Sequence, residues 1–218
     1  MRGIGFTGGE GPGAKRAAVL AGEAELIAAA DSGLIAAEAA GFRPDWIVGD
    51  MDSLGAGSQD DLRRLEKYPP GRVIRYPRDK DETDTELLLS LLWEKGCDEI
   101  WLLGGGGGRL DHLLAIQALF DRDLSPDRWF TAGEDIRQLR EGRSLNATAA
   151  GFGNGLVSVF PLGTGPWEAE SCGLKWPLAG LPWKRGFFGL SNEAGSEGSF
   201  EIRAVRGRFL VIMPFVQE

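Results

Sequence analysis

The sequence predicts an α/β chain followed by an all-β segment: an N-terminal, mostly parallel, Rossmann-like α/β/α sheet, then a small C-terminal antiparallel β-sandwich. Three observations carry this. Short apolar runs recur through the first half, each ending in an aspartate- or glycine-rich turn: LIAAA (26–30) before Asp31, WIV (46–48) before GDMDS (49–53), VIRYP (73–77) before RDKDETD (78–84), and EIWLL (99–103) before GGGGGRLDH (104–112). Helical patterns alternate with these runs, as repeated βα units around a parallel sheet require. Beyond about residue 140 the helical periodicity disappears, and strand-like runs follow at turn-sized intervals.

Taken in order, GIGFTGG (3–9) reads as a strand ending in a glycine turn, with a helix through roughly 14–22. SGLIAAEAAG (32–41) reads as a helix with Ser32 as N-cap and Gly41 at its end. Pro44 then marks the turn before the strand at 45–48, and SQDDLRRLEKY (58–68) is a charged surface helix. Thr83 and Glu86 form a T-x-x-E capping box ahead of ELLLSLLWEKG, so Asp84 becomes the first helical residue, at the positive end of the helix dipole. LDHLLAIQALF (110–120) is a helix with Leu113, Leu114 and Ala118 facing inward, and a further strand lies near 128–132. In the last third LVSVFP (156–161), RGFFGL (185–190), SFEIRAV (199–205) and RFLVIMPF (208–215) are strands, punctuated by turns such as PLGTGP and AGSEG. The expected domains are 1–138 and 139–218.

Composition narrows the function classes. A charge of −8 and no basic stripe argue against a nucleic-acid partner. No apolar stretch approaches the ~18 residues of a membrane span, and MRGIGFTGGEGPG lacks a signal-like apolar region, so a cytoplasmic protein is expected. Two cysteines, Cys97 and Cys172, read as ordinary thiols, and with one histidine they make a structural zinc site a poor fit.

Turns that follow parallel strands gather along one edge of the sheet, where ligands bind. If the chain stays extended there, Asp50 and Asp52, two residues apart, project to one side at a spacing suited to hard cations. RDKDETD adds Asp79, Asp81 and Asp84 around Lys80, a density of anions that a divalent cation would relieve. The glycine run 104–108 between a strand and a helix can cradle phosphates, with Arg109 placed to pair with one and Asp111 beside it. It is neither a Walker A loop nor G-x-G-x-x-G. Trp176, with Ser191 and Asn192, could form a flat platform and a polar rim for a heteroaromatic ligand.

Together these residues resemble the thiamine pyrophosphokinase family. The likeness runs through A-D-S-G (30–33), P-D-x-x-x-G-D-x-D-S (44–53), K-D-E-T-D-T-E (80–86), G-G-R-x-D-H (107–112), G-L-K-W-P-L (173–178) and S-N-E (191–193), in order and across nearly the whole length. Two departures are small: Met51 replaces the usual phenylalanine of G-D-F-D-S, and a continuous glycine run replaces G-A-T-G-G. The resemblance implies an ATP- and Mg²⁺-dependent transfer of a pyrophosphoryl group to thiamine, giving thiamine diphosphate and AMP, by a homodimer with active sites at the subunit interface. On this basis Asp50, Asp52 and Asp84 are assigned to Mg²⁺, with Asp81 beside them as part of the catalytic group. Asp31, Ser32, Lys80, Thr83, Gly108, Arg109, Asp111 and His112 are assigned to ATP, and Trp176, Ser191 and Asn192 to thiamine. The alternatives are a related pyrophosphokinase for another heterocyclic alcohol such as a pterin, an Mg²⁺-dependent nucleotide hydrolase, or a non-catalytic sensor.

Overall fold

The computed structural model describes residues 1–51, 54, 59–148 and 155–215. The chain forms two compact units, one built from Met1–Leu119 with Leu124–Pro126 and Phe130–Ala132, the other from Phe120–Asp123, Asp127–Trp129 and Gly133–Glu218.

In the first unit, strands β1 (Arg2–Phe6), β2 (Leu26–Ala30), β3 (Trp46–Gly49), β4 (Val73–Arg75) and β5 (Glu99–Leu103) lie in the order β5-β1-β2-β3-β4; the residues of β6 (Arg128–Phe130) are divided between the two units. The pairs β5–β1, β1–β2, β2–β3 and β3–β4 are parallel. Helices α1 (Ala14–Ala21), α2 (Gly33–Ala39), α3 (Gln59–Glu66), α4 (Asp84–Glu94) and α5 (Leu110–Leu119) connect them. The strand order reverses between β1 and β5, because β2, β3 and β4 all extend to the other side of β1. That reversal is the topological switch point of an open parallel sheet.

The apolar runs are strands because they are buried on both faces: Ile4, Phe6, Ala28, Ala29, Ile47, Val48, Ile100 and Leu102 are all inaccessible to solvent. Glycines on β1 let α4 approach closely. A Cβ on Gly3 would lie 3.1 Å from a Leu92 methyl group, and one on Gly5 would lie 2.9 Å from a Leu88 methyl group. The leucines that fill this space, Leu87, Leu88, Leu89, Leu91 and Leu92, are all buried, and each contributes roughly 1.5–3 kcal/mol by leaving water. The capping box is complete, with Glu86 N–H donating to Thr83 Oγ1 and Thr83 N–H donating to the Glu86 carboxylate.

Two helical expectations fail. Ser32 takes helical angles itself and makes no side-chain cap, so α2 starts without one. On α5, Leu114 is 57% exposed and Ala118 is exposed, while Ile116 and Leu119 are buried. This helix is apolar on nearly every side, so periodicity cannot say which face turns inward.

The second unit is a two-sheet sandwich. One antiparallel sheet runs β11-β9-β13-β7, from β7 (Glu134–Leu139), β9 (Leu156–Leu162), β11 (Gly189–Glu193) and β13 (Arg208–Pro214). The other runs β10-β12-β8, from β8 (Ser144–Thr148), β10 (Glu168–Cys172) and β12 (Ser199–Arg206). Their facing residues, including Val157, Val159, Phe209, Val211, Phe200, Ile202 and Ala169, form one core. The expected strand at 185–190 is corrected: a turn closed by Phe187 N–H on Lys184 C=O, with Gly186 at φ 81°, occupies most of it, and the strand begins at Gly189. Cys97 is buried, Cys172 is exposed and both are free thiols. Among the described residues no helix is long and apolar enough to cross a membrane.

Candidate active site

The loops at the carboxyl ends of the parallel strands bring three aspartates together. Asp31 follows β2, Asp50 follows β3 and Asp84 opens α4; a carboxylate oxygen from each lies within 4.8 Å of the others. Lys80 reaches into the same group, with its Nζ 2.9 Å from Asp84 and 3.9 Å from Asp50. Its side chain is 9% exposed. Burial lowers the Lys80 pKa, but the hydrogen bond and charge of Asp84 and the charges of Asp50 and Asp31 outweigh it, and the net shift is upward.

Asp31 is the most perturbed of the three. It is 6% exposed, and its pKa is raised to about 7, first by burial, then by the charge and hydrogen bond of Asp84, with a further contribution from Asp50. The main-chain N–H of Met51 donates to Asp31 Oδ1 at 3.0 Å and works in the opposite direction. The backbone here is unusual. Asp31 has φ 45° and Met51 φ 66°, and Gly49, at φ 136°, leaves room that a Cβ would take, since it would fall 2.0 Å from Asp31 Oδ1. Left-handed backbone at non-glycine residues persists only where surrounding structure imposes it, and it concentrates at functional sites.

Three carboxylates crowded beside one lysine fit a hard divalent cation: all the donors are oxygens, and the charges of Asp84 and Asp50 both bear on the buried Asp31. Of the residues assigned to metal from the sequence, Asp50 and Asp84 meet here, while Asp52 and the adjacent Ser53 lie outside the described residues. Asp31, assigned to ATP, stands inside the carboxylate group. Its signal was in the sequence all along, since it ends an apolar run just as Asp50 does. Asp81 is exposed and lies outside the three-carboxylate cluster.

The glycine run is narrower as an anion cradle than the sequence suggests. The amides of Gly104, Gly105 and Gly106 donate to Phe130, Gly8 and Glu10 carbonyls, and Glu10 N–H donates back to Gly106. A second glycine-rich loop, 7–13 after β1, is thus zipped onto the run across the switch point. Among the described residues, no hydrogen bond holds the amides of Gly107 and Gly108. Both have positive φ, and a Cβ at Gly108 would meet nothing within 4 Å.

Arg109 and Asp111, both exposed, are paired bidentately, with Nε to Oδ1 at 3.0 Å. The Arg109 hydrogen bond holds the Asp111 pKa below the ordinary carboxylate range. His112 is exposed, and its N–H donates to Asp111 Oδ1. Thr83 spends its hydroxyl on the α4 cap. The Ser32 hydroxyl lies against the first glycine loop, 2.6 Å from where a Gly8 Cβ would stand.

In the sandwich unit, Trp176 is 51% exposed and firmly held. Its N–H donates to Asn192 Oδ1 at 3.2 Å, and Asn192 Nδ2 donates to its carbonyl at 2.6 Å. Lys175, paired with Glu193 at 2.8 Å, lies 4.5 Å from the indole centroid. Ser191 has φ 55°, and its N–H donates to Ser158 Oγ. The three non-glycine residues with left-handed backbone among those described, Asp31, Met51 and Ser191, therefore lie at or beside sequence-predicted site residues. A cleft of about 460 Å³ on the three-stranded sheet, lined by residues such as Asn146, Cys172, Glu197 and Glu201, contains none of those assigned residues.

Comparison with known proteins agrees with this arrangement. Residues 17–124 match the family described as "Thiamin pyrophosphokinase, catalytic domain". A stretch of 91 residues is 38% identical to the thiamine pyrophosphokinase of Bacillus subtilis (strain 168), and spans 41% of this chain and 41% of that protein. The solved thiamin pyrophosphokinase of Geobacillus thermodenitrificans is 27% identical, with a TM-score of 0.76 over 100% of this chain and 99% of its own. The solved thiamine pyrophosphokinase of Bacillus subtilis gives 0.76 at 23% identity over 100% of both chains. That of Candida albicans gives 0.72 at 18% identity, over 99% of this chain and 90% of its own. The last two bear on fold alone. Residues 17–124, the stretch that carries both the carboxylate cluster and the glycine run, are thus similar to the catalytic domain of thiamine pyrophosphokinases.

Proposed function

We propose that the protein transfers the pyrophosphoryl group of ATP to the hydroxyl of thiamine, forming thiamine diphosphate and AMP, with Mg²⁺ required. The observation that carries this is the convergence of Asp31, Asp50 and Asp84 around Lys80 on the carboxyl edge of the sheet. The family match over the same residues supports it.

In this reading Asp31, Asp50 and Asp84 hold Mg²⁺, joined by Asp52, with Asp81 beside the site. Bound there, Mg²⁺ neutralises phosphate oxygens and so makes the β-phosphorus easier to attack. Lys80, fixed by two of the carboxylates, presents a permanent positive charge to the same oxygens. The open amides of Gly107 and Gly108, and Arg109 on release from Asp111, bind the remaining phosphate charge. Ser32 and His112 complete the nucleotide contacts. Trp176, clamped by Asn192 and bordered by Ser191, stacks on the thiamine pyrimidine. The thiamine oxygen forms a bond to the β-phosphorus, the bond from that phosphorus to the α–β bridging oxygen breaks, and AMP leaves with that oxygen. The alcohol's proton passes to a carboxylate of the cluster. Little covalent work falls to the protein, so positioning and charge neutralisation dominate.

A homodimer with active sites at the subunit interface belongs to the same reading. The exposed apolar side chains of Leu110, Leu114, Phe188 and Leu190 favour it. The two free thiols suit a reducing, cytoplasmic setting. Incubation of purified protein with ATP, Mg²⁺ and thiamine tests the activity: thiamine diphosphate and AMP in equal amounts are expected. Thiamine monophosphate with ADP, or AMP and pyrophosphate formed equally well without thiamine, would refute it.

A further inference from the structure

Two threonine hydroxyls behind the acidic cluster have no role in the chemistry above. Thr7 Oγ1 lies 2.7 Å from Thr85 Oγ1. Thr7, 6% exposed, is the first residue beyond β1, and its N–H donates to Leu103 C=O at the end of β5. The first glycine of the run is shaped around it: a Cβ at Gly104 would fall 2.2 Å from Thr7 O. Thr85 follows Asp84 directly in the first turn of α4. One side of that turn is tied by the Thr83–Glu86 capping box, which is exposed and local to the helix. The Thr7–Thr85 contact ties the other side of that turn to the end of β1, and Asp84 lies between Thr83 and Thr85 in sequence.

We propose that the Thr7–Thr85 hydroxyl pair positions Asp84: it fixes the first turn of α4 against the end of β1, and so sets how closely the Asp84 carboxylate meets those of Asp31 and Asp50. The pair thereby tunes affinity for a divalent cation and links the cluster to the start of the glycine run. Both threonines act through Asp84 and touch no substrate. The inference rests on the acidic cluster being a cation site. A cation held by three carboxylates from three separate loops depends on their spacing, and a turn freed by one hydrogen bond can rotate by enough to loosen it.

The test is a titration of the purified protein with Mn²⁺ alone, following free Mn²⁺ by electron paramagnetic resonance, for wild type, Thr7→Val, Thr85→Val, the double valine variant and Thr7→Ser. Thermal unfolding is recorded alongside. Each single valine variant is expected to weaken Mn²⁺ binding about three- to tenfold, the scale of one lost hydrogen bond. Thr7→Ser should stay near wild type, because it keeps the hydroxyl. The double variant should bind Mn²⁺ no more weakly than the singles, since all three lose the same contact. It should also regain stability, because no unpaired buried hydroxyl remains. Wild-type Mn²⁺ affinity in the valine variants overturns the proposal, as does affinity that recovers together with stability in the double variant. A wild-type protein that binds no Mn²⁺ overturns the cation site itself, a separate and recognisable result.

Discussion

The carboxylate of Asp31 accepts a hydrogen bond from the main-chain N–H of Met51 at 3.0 Å, and both residues hold left-handed backbone to make it. This contact ties the loop after β2 to the loop after β3. It places a buried acid against Asp84 and Asp50 at a point where only a cation or a proton can balance the charge. The fold spends backbone strain and electrostatic repulsion here, and the first two predictions measure that cost.

Without metal, stability should fall as pH rises through the range set by Asp31. Its folded pKa of about 7 lies above the ordinary aspartate value of 3.8, so the native state holds this proton more tightly than the unfolded chain does. The resulting stabilisation is complete below about pH 4 and is lost as pH rises through about 7. Asp84 and Asp50 oppose ionisation of Asp31, and Lys80 faces all three. Urea unfolding midpoints with chelator present should show this decline. Asp31→Asn should flatten it. Saturating Mg²⁺ should reverse it, because the cation binds the ionised carboxylates.

Asp84→Asn should move activity and stability in opposite directions. It removes one of three crowded carboxylates, so the metal-free protein should unfold at a higher temperature than wild type. Turnover should drop by at least about a hundredfold, because a cation ligand is lost. Steady-state rates at several Mg²⁺ concentrations, with a melting curve, give both numbers. Parallel loss of both would mean that Asp84 is structural.

Gly49→Ala tests the close approach. The new Cβ would fall 2.0 Å from Asp31 Oδ1 at φ 136°, so Asp31 must move or the turn must open, at a cost of roughly 1–3 kcal/mol. Reduced stability with weakened Mn²⁺ binding is expected. An unchanged Mn²⁺ titration would show that Asp31 takes no part in the cation site.

Trp176→Ala separates the two substrates. Loss of a stacking face is worth about 1 kcal/mol, so the KM for thiamine should rise roughly five- to tenfold while that for ATP stays put. Steady-state kinetics with each substrate varied in turn decide it. A change confined to ATP would contradict the stacking role.

Much of this is legible in the sequence alone. The apolar runs 26–30, 46–48 and 99–103 announce buried parallel strands because both their faces are covered. Thr83 and Glu86 announce the start of α4 because capping is local chemistry. What escaped was whatever depends on distant partners. β8 and β10 have sequences SLNAT and EAESC, whose alternate residues are exposed and dilute any apolar signal, and β7, EDIRQL, offers only Ile136 and Leu139 as apolar residues. Leu114 looked like core because α5 offers no polar face by which to orient it. Nothing local in the sequence distinguishes a carboxylate near phosphate from one near a metal, so the grouping of Asp31 with Asp50 and Asp84 emerges only from the fold. The pairing of the glycine run with the loop at 7–13 could not be read either, since glycines in the loops that follow β1 and β5 carry no side chain to report their contact.

The central claim is that three carboxylates from separate loops hold one divalent cation. Anomalous diffraction from crystals soaked in Mn²⁺ tests it most directly. The account predicts a peak within about 2.0–2.3 Å of oxygens from Asp31, Asp50 and Asp84, absent in crystals of Asp84→Asn. Strong peaks elsewhere on the protein, with none among these three aspartates, would contradict it.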